Sequence, residues 1–200
     1  MKYLVIVLLL GVLAAIGFVG AGWYDVGADS PHSKATYALL QFARERSVAH
    51  YARDLSVPAN LGEDAVILKG AGQYAAMCTG CHLQPGMKDS EIRPGLYPQP
   101  PDLSQVRVDP REAFWVIKHG IKMSAMPAWG SSHDDATIWS MVAFLQKLPG
   151  LTPAEYKVIV AKAPPDDDMQ PMQGDHADPS AMHGMPMPAA AASAAATTGH

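Results

Sequence analysis

The chain of 200 residues has 48% hydrophobic and 17% charged side chains, which excludes a disordered polyelectrolyte and a membrane protein with many spans. Its net charge of −4 is unevenly distributed. Residues 164–200 contain five Asp and no Lys or Arg, so the preceding part carries 15 basic and 14 acidic side chains. No basic block suited to a phosphate backbone occurs, and we expect no nucleic-acid partner.

An uncharged apolar stretch from Tyr3 to Ala21 follows the first two residues. As a helix these residues would be about 28 Å long, which matches the hydrocarbon thickness of a bilayer. Trp23 and Tyr24 follow, and aromatic rings favour the membrane interface. A cleaved signal usually has a shorter apolar region, so residues 1–22 are predicted to be a retained transmembrane anchor, or alternatively a signal sequence. Lys2 favours a cytoplasmic amino terminus, which predicts a single pass through the inner membrane with the remaining chain on the periplasmic side.

Residues 23–59 are predicted to contain one helix, from Ser33 to about Leu55, which Pro58 ends. No cluster of chemically active groups occurs in this segment. We therefore interpret it as a juxtamembrane spacer that holds the following domain away from the membrane.

Residues 60–150 are predicted to form a small all-α domain, because no alternating strand pattern occurs in them. A helix is expected from Asn60, with Glu63 placed as in a capping box, to Met77. Asp109 precedes another helix, and Ser132 with Asp135 give the capping pattern of the last core helix, before a short helical extension at 151–163. About ninety residues make a marginal core, which a large, flat, apolar cofactor would complete.

The motif Cys78-Thr79-Gly80-Cys81-His82 admits three interpretations. A redox dithiol usually belongs to an α/β fold, and a zinc site would need two further ligands, for which His119 and His133 have non-standard spacing. The third interpretation is a covalently bound c-type haem, in which each thiol joins one vinyl group and His82 ligates the iron. Export from the cytoplasm is consistent with this third interpretation, which we favour.

A sixth iron ligand is expected from later in the chain, where two methionines are well placed. Met126 precedes Pro127, which restricts it to extended geometry and would hold its side chain out of a loop. Met123 is the alternative, and His119 or an open coordination position are further ones. A thioether ligand favours ferrous iron and raises the reduction potential.

Residues Asp64 to Leu148 resemble the small monohaem cytochromes c, especially the membrane-anchored bacterial type. The stretches that carry the resemblance are 70–82, 95–103 and 114–130. The resemblance implies one haem c linked to Cys78 and Cys81, with His82 and Met126 as axial ligands. It also implies that a proline carbonyl, from Pro94 or alternatively Pro101, accepts the N–H of the proximal imidazole. A further implication is that the first and last core helices cross near Gly70 or Gly72, against Trp139 or Phe144.

Such a centre predicts an electron-transfer protein rather than an enzyme, since iron closed by His and Met has no open position for a substrate. The expected function is a membrane-anchored carrier of single electrons between respiratory or dehydrogenase complexes, or a dedicated subunit of one of them. Its expected partners are a quinol-oxidising complex, a dehydrogenase or a terminal oxidase. A haem-based gas or redox sensor with a displaceable Met ligand is the alternative. The cations predicted to form a docking rim around the haem are Lys88, Arg93, Lys118 and Lys122.

The segment 164–200 is rich in Met, His, Pro and Ala and has no periodic apolar face, which predicts disorder. Thioether and imidazole groups such as those of Met182, His183 and Met185 suit copper ions. A copper-handling function of this tail is thus a third hypothesis, beside a flexible acidic tail without bound metal.

Overall fold

The computed structural model describes residues 1–165, and within these residues the secondary structure is helical, with no strand. This confirms the predicted all-α fold class. The α-helices of the described part are α1 (Lys2–Gly20), α2 (Lys34–Ala52), α3 (Asp64–Met77), α4 (Thr79–His82), α5 (Pro110–His119), α6 (Asp135–Lys147) and α7 (Pro153–Ala161). The predicted disorder and copper binding of the tail fall almost wholly on residues 166–200, which lie outside the described part.

Helix α1 is long and apolar enough to cross a membrane, and all of its residues are exposed. A signal sequence has the same length and composition, so α1 is a candidate span. Hydrogen bonds link the segment that follows α1 to a distant part of the chain. The Tyr24 hydroxyl lies 3.2 Å from His32 Nδ1, and the backbone N–H of His32 donates to the Tyr97 hydroxyl at 3.2 Å.

Helix α2 begins where the sequence predicted, because the side chain of Ser33 accepts the Thr36 N–H. Its second half packs against α5: Val48 and Ala52 are buried, and the Tyr51 ring stacks on Trp115 with centroids 5.8 Å apart. The spacer interpretation did not include this contact. Residues 34–52 are therefore an integral layer of the helical domain rather than a free-standing helix.

Helix α3 begins later than the predicted Asn60. Residues 58–63 instead form successive turns, in which Leu61 N–H donates to Pro58 O and Glu63 N–H donates to Asn60 O. Glu63 is the capping residue, although its side chain makes no capping hydrogen bond. The capping-box prediction was wrong here, because the Glu63 N–H, which the Asn60 side chain would have bonded in the box, donates to the Asn60 carbonyl instead.

Helices α3 and α6 make the most extensive helix–helix contact of the described residues, and they cross at Gly70. A Cβ atom at Gly70 would collide with the backbone carbonyl of Ser140, so the crossing requires glycine at this position. Gly72 instead faces Ala163. Of the two aromatic residues expected near the crossing, Phe144 packs against Tyr74 of α3, one helical turn from Gly70. Trp139 instead stacks on Phe114 of α5, with ring centroids 4.2 Å apart.

The ends of the later helices are fixed by side-chain caps. Asp109 caps α5 as predicted, accepting the N–H groups of Arg111 and Glu112. For α6 the cap is Asp134, which accepts the Thr137 N–H at 2.7 Å, and not the predicted Ser132. Helix α7 lies within the extension predicted at 151–163 and starts with a complete capping box between Thr152 and Glu155.

Candidate functional site

The two cysteines and the histidine of the motif lie on a single helical turn. The N–H groups of Cys81 and His82 both donate to the Cys78 carbonyl, at 3.1 and 2.8 Å. Both thiols are free, and both side chains are partly buried. Burial, with a smaller contribution from Cys81, raises the pKa of the Cys78 thiol to about 12. A redox dithiol needs a lowered thiol pKa, so this environment is opposite to the one that the dithiol interpretation requires.

The imidazole of His82 is oriented by a backbone carbonyl. Its Nδ1 lies 3.0 Å from the Pro101 oxygen, and because a carbonyl can only accept, Nδ1 is the protonated nitrogen. The other ring nitrogen, Nε2, is then a free lone-pair donor for a metal. Pro101, rather than Pro94, is therefore the proline that holds the ring. Burial is the main influence on the pKa of His82 and lowers it. The hydrogen bond to Pro101 acts in the opposite direction, whereas the positive charge of Arg93 lowers the pKa further. The lowered pKa favours the neutral imidazole, which is the form that binds metals.

A buried tyrosine fixes the backbone immediately after the motif. The Tyr74 hydroxyl donates to the Leu83 carbonyl at 2.6 Å and lies 3.2 Å from the His82 carbonyl. The His82 carbonyl also accepts the Leu103 N–H at 3.1 Å. These bonds tie α3, the motif and the loop after Pro101 together around His82. Tyr74 was not among the predicted site residues, although its position one helical turn before Cys78 is the signal that could have indicated it.

Arg93 supports the loop that holds His82. One guanidinium nitrogen donates to the Pro100 carbonyl at 3.1 Å, and another lies 3.7 Å from the Asp89 carboxylate. The side chain is 16% exposed. Because Pro100 directly precedes Pro101, Arg93 positions the carbonyl that orients the imidazole. Arg93 was predicted to be part of a docking rim, and its contact with Pro100 was not predicted.

The loop 120–127 presents the two candidate methionines very differently. Met126 is half-buried and packs against the hydrophobic core, whereas the Met123 side chain is 99% exposed and its backbone has φ of 57°. Ser124 shapes the loop, since its hydroxyl donates to the Ile121 carbonyl at 2.8 Å and accepts the Met126 N–H at 3.2 Å. Gly120, with φ of +66°, allows the Met126–Pro127 backbone to lie directly against it. The loop therefore turns Met126 inward and Met123 outward.

These side chains fit a covalently attached haem. Two free thiols and a neutral imidazole with an available Nε2 share one turn, and a soft thioether lies on the core surface. Within residues 1–165 no group of three or more His, Cys, Asp and Glu side chains comes together as a metal site. The zinc interpretation thus lacks a third ligand in the part of the chain that the structure describes, where His133 contacts Trp129 and Ser132 instead.

Residues 65–145 match the family model described as cytochrome C oxidase, cbb3-type, subunit III. This stretch is a c-type cytochrome domain. The match includes the Cys78–His82 motif and Met126, and such a domain implies haem c as the cofactor. The match begins within α3 and ends within α6, so α1, α2 and α7 lie outside it. Comparisons with curated proteins and with solved structures gave no match.

Proposed function

We propose that this chain is a membrane-anchored, monohaem electron-transfer protein that exchanges single electrons with respiratory or dehydrogenase complexes. Haem c would be linked to Cys78 and Cys81, with His82 and Met126 as the axial ligands. When bound, this group supplies a one-electron ferric/ferrous couple. The observation that carries the proposal is the His82 imidazole, whose Nδ1 is committed to Pro101 while Nε2 remains available beside two free cysteines.

The protein's own groups would determine how this centre behaves. Pro101 and Arg93 hold the imidazole in one tautomer and orientation, which lowers the reorganisation needed when charge changes nearby. Met126, held by Ser124, offers a soft ligand that favours the reduced state. If His82 and Met126 both ligate the iron, no position would be open for a substrate, which would favour electron transfer over catalysis on a bound molecule.

The matched family model is named for an oxidase subunit, which supports a partner of the oxidase type. We therefore propose that the haem domain lies on the periplasmic side of the inner membrane, anchored by α1, and works within or beside a terminal oxidase. A quinol-oxidising complex and a dehydrogenase remain alternative partners.

Two of the four cations of the predicted docking rim are already engaged in ion pairs. Lys118 Nζ lies 2.6 Å from Asp135, and Arg93 is paired with Asp89. Lys88 and Lys122 are exposed. A docking surface for an acidic partner would therefore depend on these two lysines, and its contribution to association would be modest and sensitive to salt.

The deciding experiment is an optical spectrum of the detergent-solubilised holoprotein, recorded oxidised, reduced, and reduced under carbon monoxide. We expect thioether-linked haem, a ferric Met–iron charge-transfer band, and no change with carbon monoxide. The Met126→Ala variant should lose the band and bind carbon monoxide, because it opens the sixth position. The matched Met123→Ala variant should behave like the native protein, since Met123 is exposed and outside the core.

Three outcomes would contradict the proposal in different ways. No covalent haem in the native protein would overturn it entirely. Ready binding of carbon monoxide by the native reduced protein would favour the sensor alternative. Loss of the band in Met123→Ala, with Met126→Ala unchanged, would exchange the roles of the two methionines.

A further inference from the structure

Among the helices of the described part that follow α1, only α2 exposes several large apolar side chains close together. Leu39, Leu40 and Phe42 are 67%, 52% and 62% exposed. Helices α3 to α6 expose no large apolar side chain, and α7 exposes only Val158. Leu39 and Phe42 are three residues apart in the helix, so they lie on the same face. A contiguous apolar patch of this kind indicates a surface that contacts lipid or another protein.

The opposite face of the same half of α2 is already used by the domain. Tyr37 and Gln41 are partly buried, and the rings of Tyr37 and Tyr97 have centroids 6.0 Å apart. From the helical repeat, Leu39 lies about 160° around the helix axis from both Tyr37 and Gln41. Because the second half of α2 packs on α5, the helix cannot rotate to bury Leu39 in the domain without breaking that contact.

The linker between α1 and α2 is folded so that the beginning of α2 lies close to the end of α1. The Tyr24 hydroxyl lies 3.2 Å from His32 Nδ1, although these residues are eight positions apart. Tyr24 follows soon after the last residue of α1, Gly20, and His32 shortly precedes the first residue of α2, Lys34. If α1 crosses a bilayer, Trp23 and Tyr24 lie at the level of the lipid headgroups. The first turns of α2 then lie near the same level.

The charges near this face do not oppose contact with lipid. Residues 34–44 contain the basic side chains Lys34 and Arg44 and no acidic one. The linker before them carries Asp25 and Asp29, so the charges of residues 23–44 balance. We therefore expect apolar contact, rather than attraction to anionic lipid, to dominate the interaction with a membrane surface.

We infer that the first half of α2 lies on the membrane surface, with Leu39 and Phe42 inserted between the headgroups and the outer parts of the acyl chains. This inference rests on the proposed function, because it requires α1 to be a retained anchor. Two side chains alone bind lipid too weakly to hold the domain at a membrane, so the contact orients a domain that α1 already anchors. Helix α5 packs on the other side of α2, away from the lipid, and the domain is held in one orientation.

The test measures the surroundings of Leu39 in the full-length holoprotein reconstituted into phosphatidylcholine vesicles. A nitroxide label is attached to Leu39→Cys and, as the matched control, to Val158→Cys, whose native side chain on α7 is also an exposed apolar one. Collision rates of each label are measured with oxygen, which concentrates in acyl chains, and with a neutral nickel chelate, which stays in water. Enough lipid is used that most vesicles contain a single chain.

We expect the ratio of oxygen to nickel collisions to be several-fold higher at Leu39→Cys than at Val158→Cys. A label at Ala35→Cys, which is exposed on the same face one turn earlier, should also have a high ratio. That ratio should fall towards the aqueous value when Leu39→Gln and Phe42→Gln are added, because these variants remove the inserted side chains and leave α1 unchanged.

Nickel collisions at Leu39→Cys as frequent as at Val158→Cys, in a chain still held by the vesicles, would overturn the inference and leave the face in water. Low collision rates with both reagents, together with restricted motion of the label, would also overturn it, because the cover would then be protein: a second copy or residues 166–200. Release of the native chain from the vesicles by an alkaline wash would contradict the proposed anchoring, and the inference with it. A label on the native chain, which has free thiols only if haem is not attached, would contradict the proposed haem linkage separately.

Discussion

At the residue scale, the site depends on polar groups that hold backbone carbonyls rather than on the cysteines and histidine alone. Pro101 orients the His82 ring, Arg93 holds Pro100, and the Tyr74 hydroxyl bonds the carbonyl of Leu83. Each contact joins segments that are far apart in the chain or separated by a turn. The attachment turn is thereby fixed by the protein on several sides, which is the preorganisation that a redox centre requires.

Replacing Tyr74 by Phe tests this support. The variant removes a buried donor and leaves the Leu83 carbonyl, in a residue that is 2% exposed, without that hydrogen bond. We expect the free energy of unfolding of the holoprotein to fall by about 1–3 kcal/mol, measured by denaturant titration at neutral pH. For the surface variant Tyr51→Phe, the free energy of unfolding should fall by much less. Equal stability of the native protein and Tyr74→Phe would contradict the role given to the hydroxyl.

The same residue predicts a dependence on alkaline pH. Burial raises the pKa of Tyr74 well above its usual value of 10.0, with smaller effects from Cys78, Tyr156 and Asp102. The unfolded chain releases this proton near pH 10, whereas the folded protein retains it. The stability that Tyr74 contributes is therefore fully present below pH 10 and is lost as the pH rises beyond it. The difference in stability between the native protein and Tyr74→Phe should accordingly shrink above that pH.

At the scale of the helices, the crossing of α3 and α6 is the contact that positions the motif, because α3 leads directly into Cys78. Gly70→Ala would force a methyl group into the Ser140 backbone carbonyl, which cannot move aside as a flexible side chain could. We expect destabilisation of about 3 kcal/mol or more, at or above the top of the usual range for overpacking, and a reduced yield of haem-containing protein. Gly62→Ala is the control, since a Cβ atom there meets nothing within 4 Å. Normal haem content and stability in Gly70→Ala would show that the helices can separate without loss of the site.

Structural features could be predicted from the sequence where they depend on residues close together in the chain, and not where they depend on contacts between distant segments. The Asp109 cap was predicted because its partners are Arg111 and Glu112, within three residues. The all-α class and the cytochrome domain followed from periodicity and from one compact motif. The start of α3 was mispredicted because Asn60 lies in the turns that follow Pro58, and the local sequence pattern does not distinguish such turns from the first turn of a helix. The Pro101 bond and the packing of α2 on α5 join distant segments, for which the sequence carries no local signal.

At the scale of the whole described chain, the segment after α1 is linked to the loop that supports His82. Tyr24 contacts His32, and His32 and Tyr37 both contact Tyr97. Tyr97 belongs to the same proline-rich loop as Pro100 and Pro101. Together with the packing of α2 on α5, these contacts favour a domain held close to the end of α1 rather than one on a long, free tether.

Helix α1 can hold the domain at the membrane only if it is retained in the mature protein, and this retention can be measured. We expect the native holoprotein to stay with the membrane fraction after an alkaline wash, and its intact mass to include residues 1–22. A matched variant in which a cleavable export signal replaces residues 1–22 should yield a soluble protein with the same haem spectrum, because no residue of α1 is buried in the domain. Recovery of the native chain in the soluble periplasmic fraction, with its amino terminus beyond Ala21, would instead identify α1 as a signal sequence. The haem domain would then diffuse freely between its partners, and the proposed attachment to a membrane complex would have to come from the surface of the domain itself.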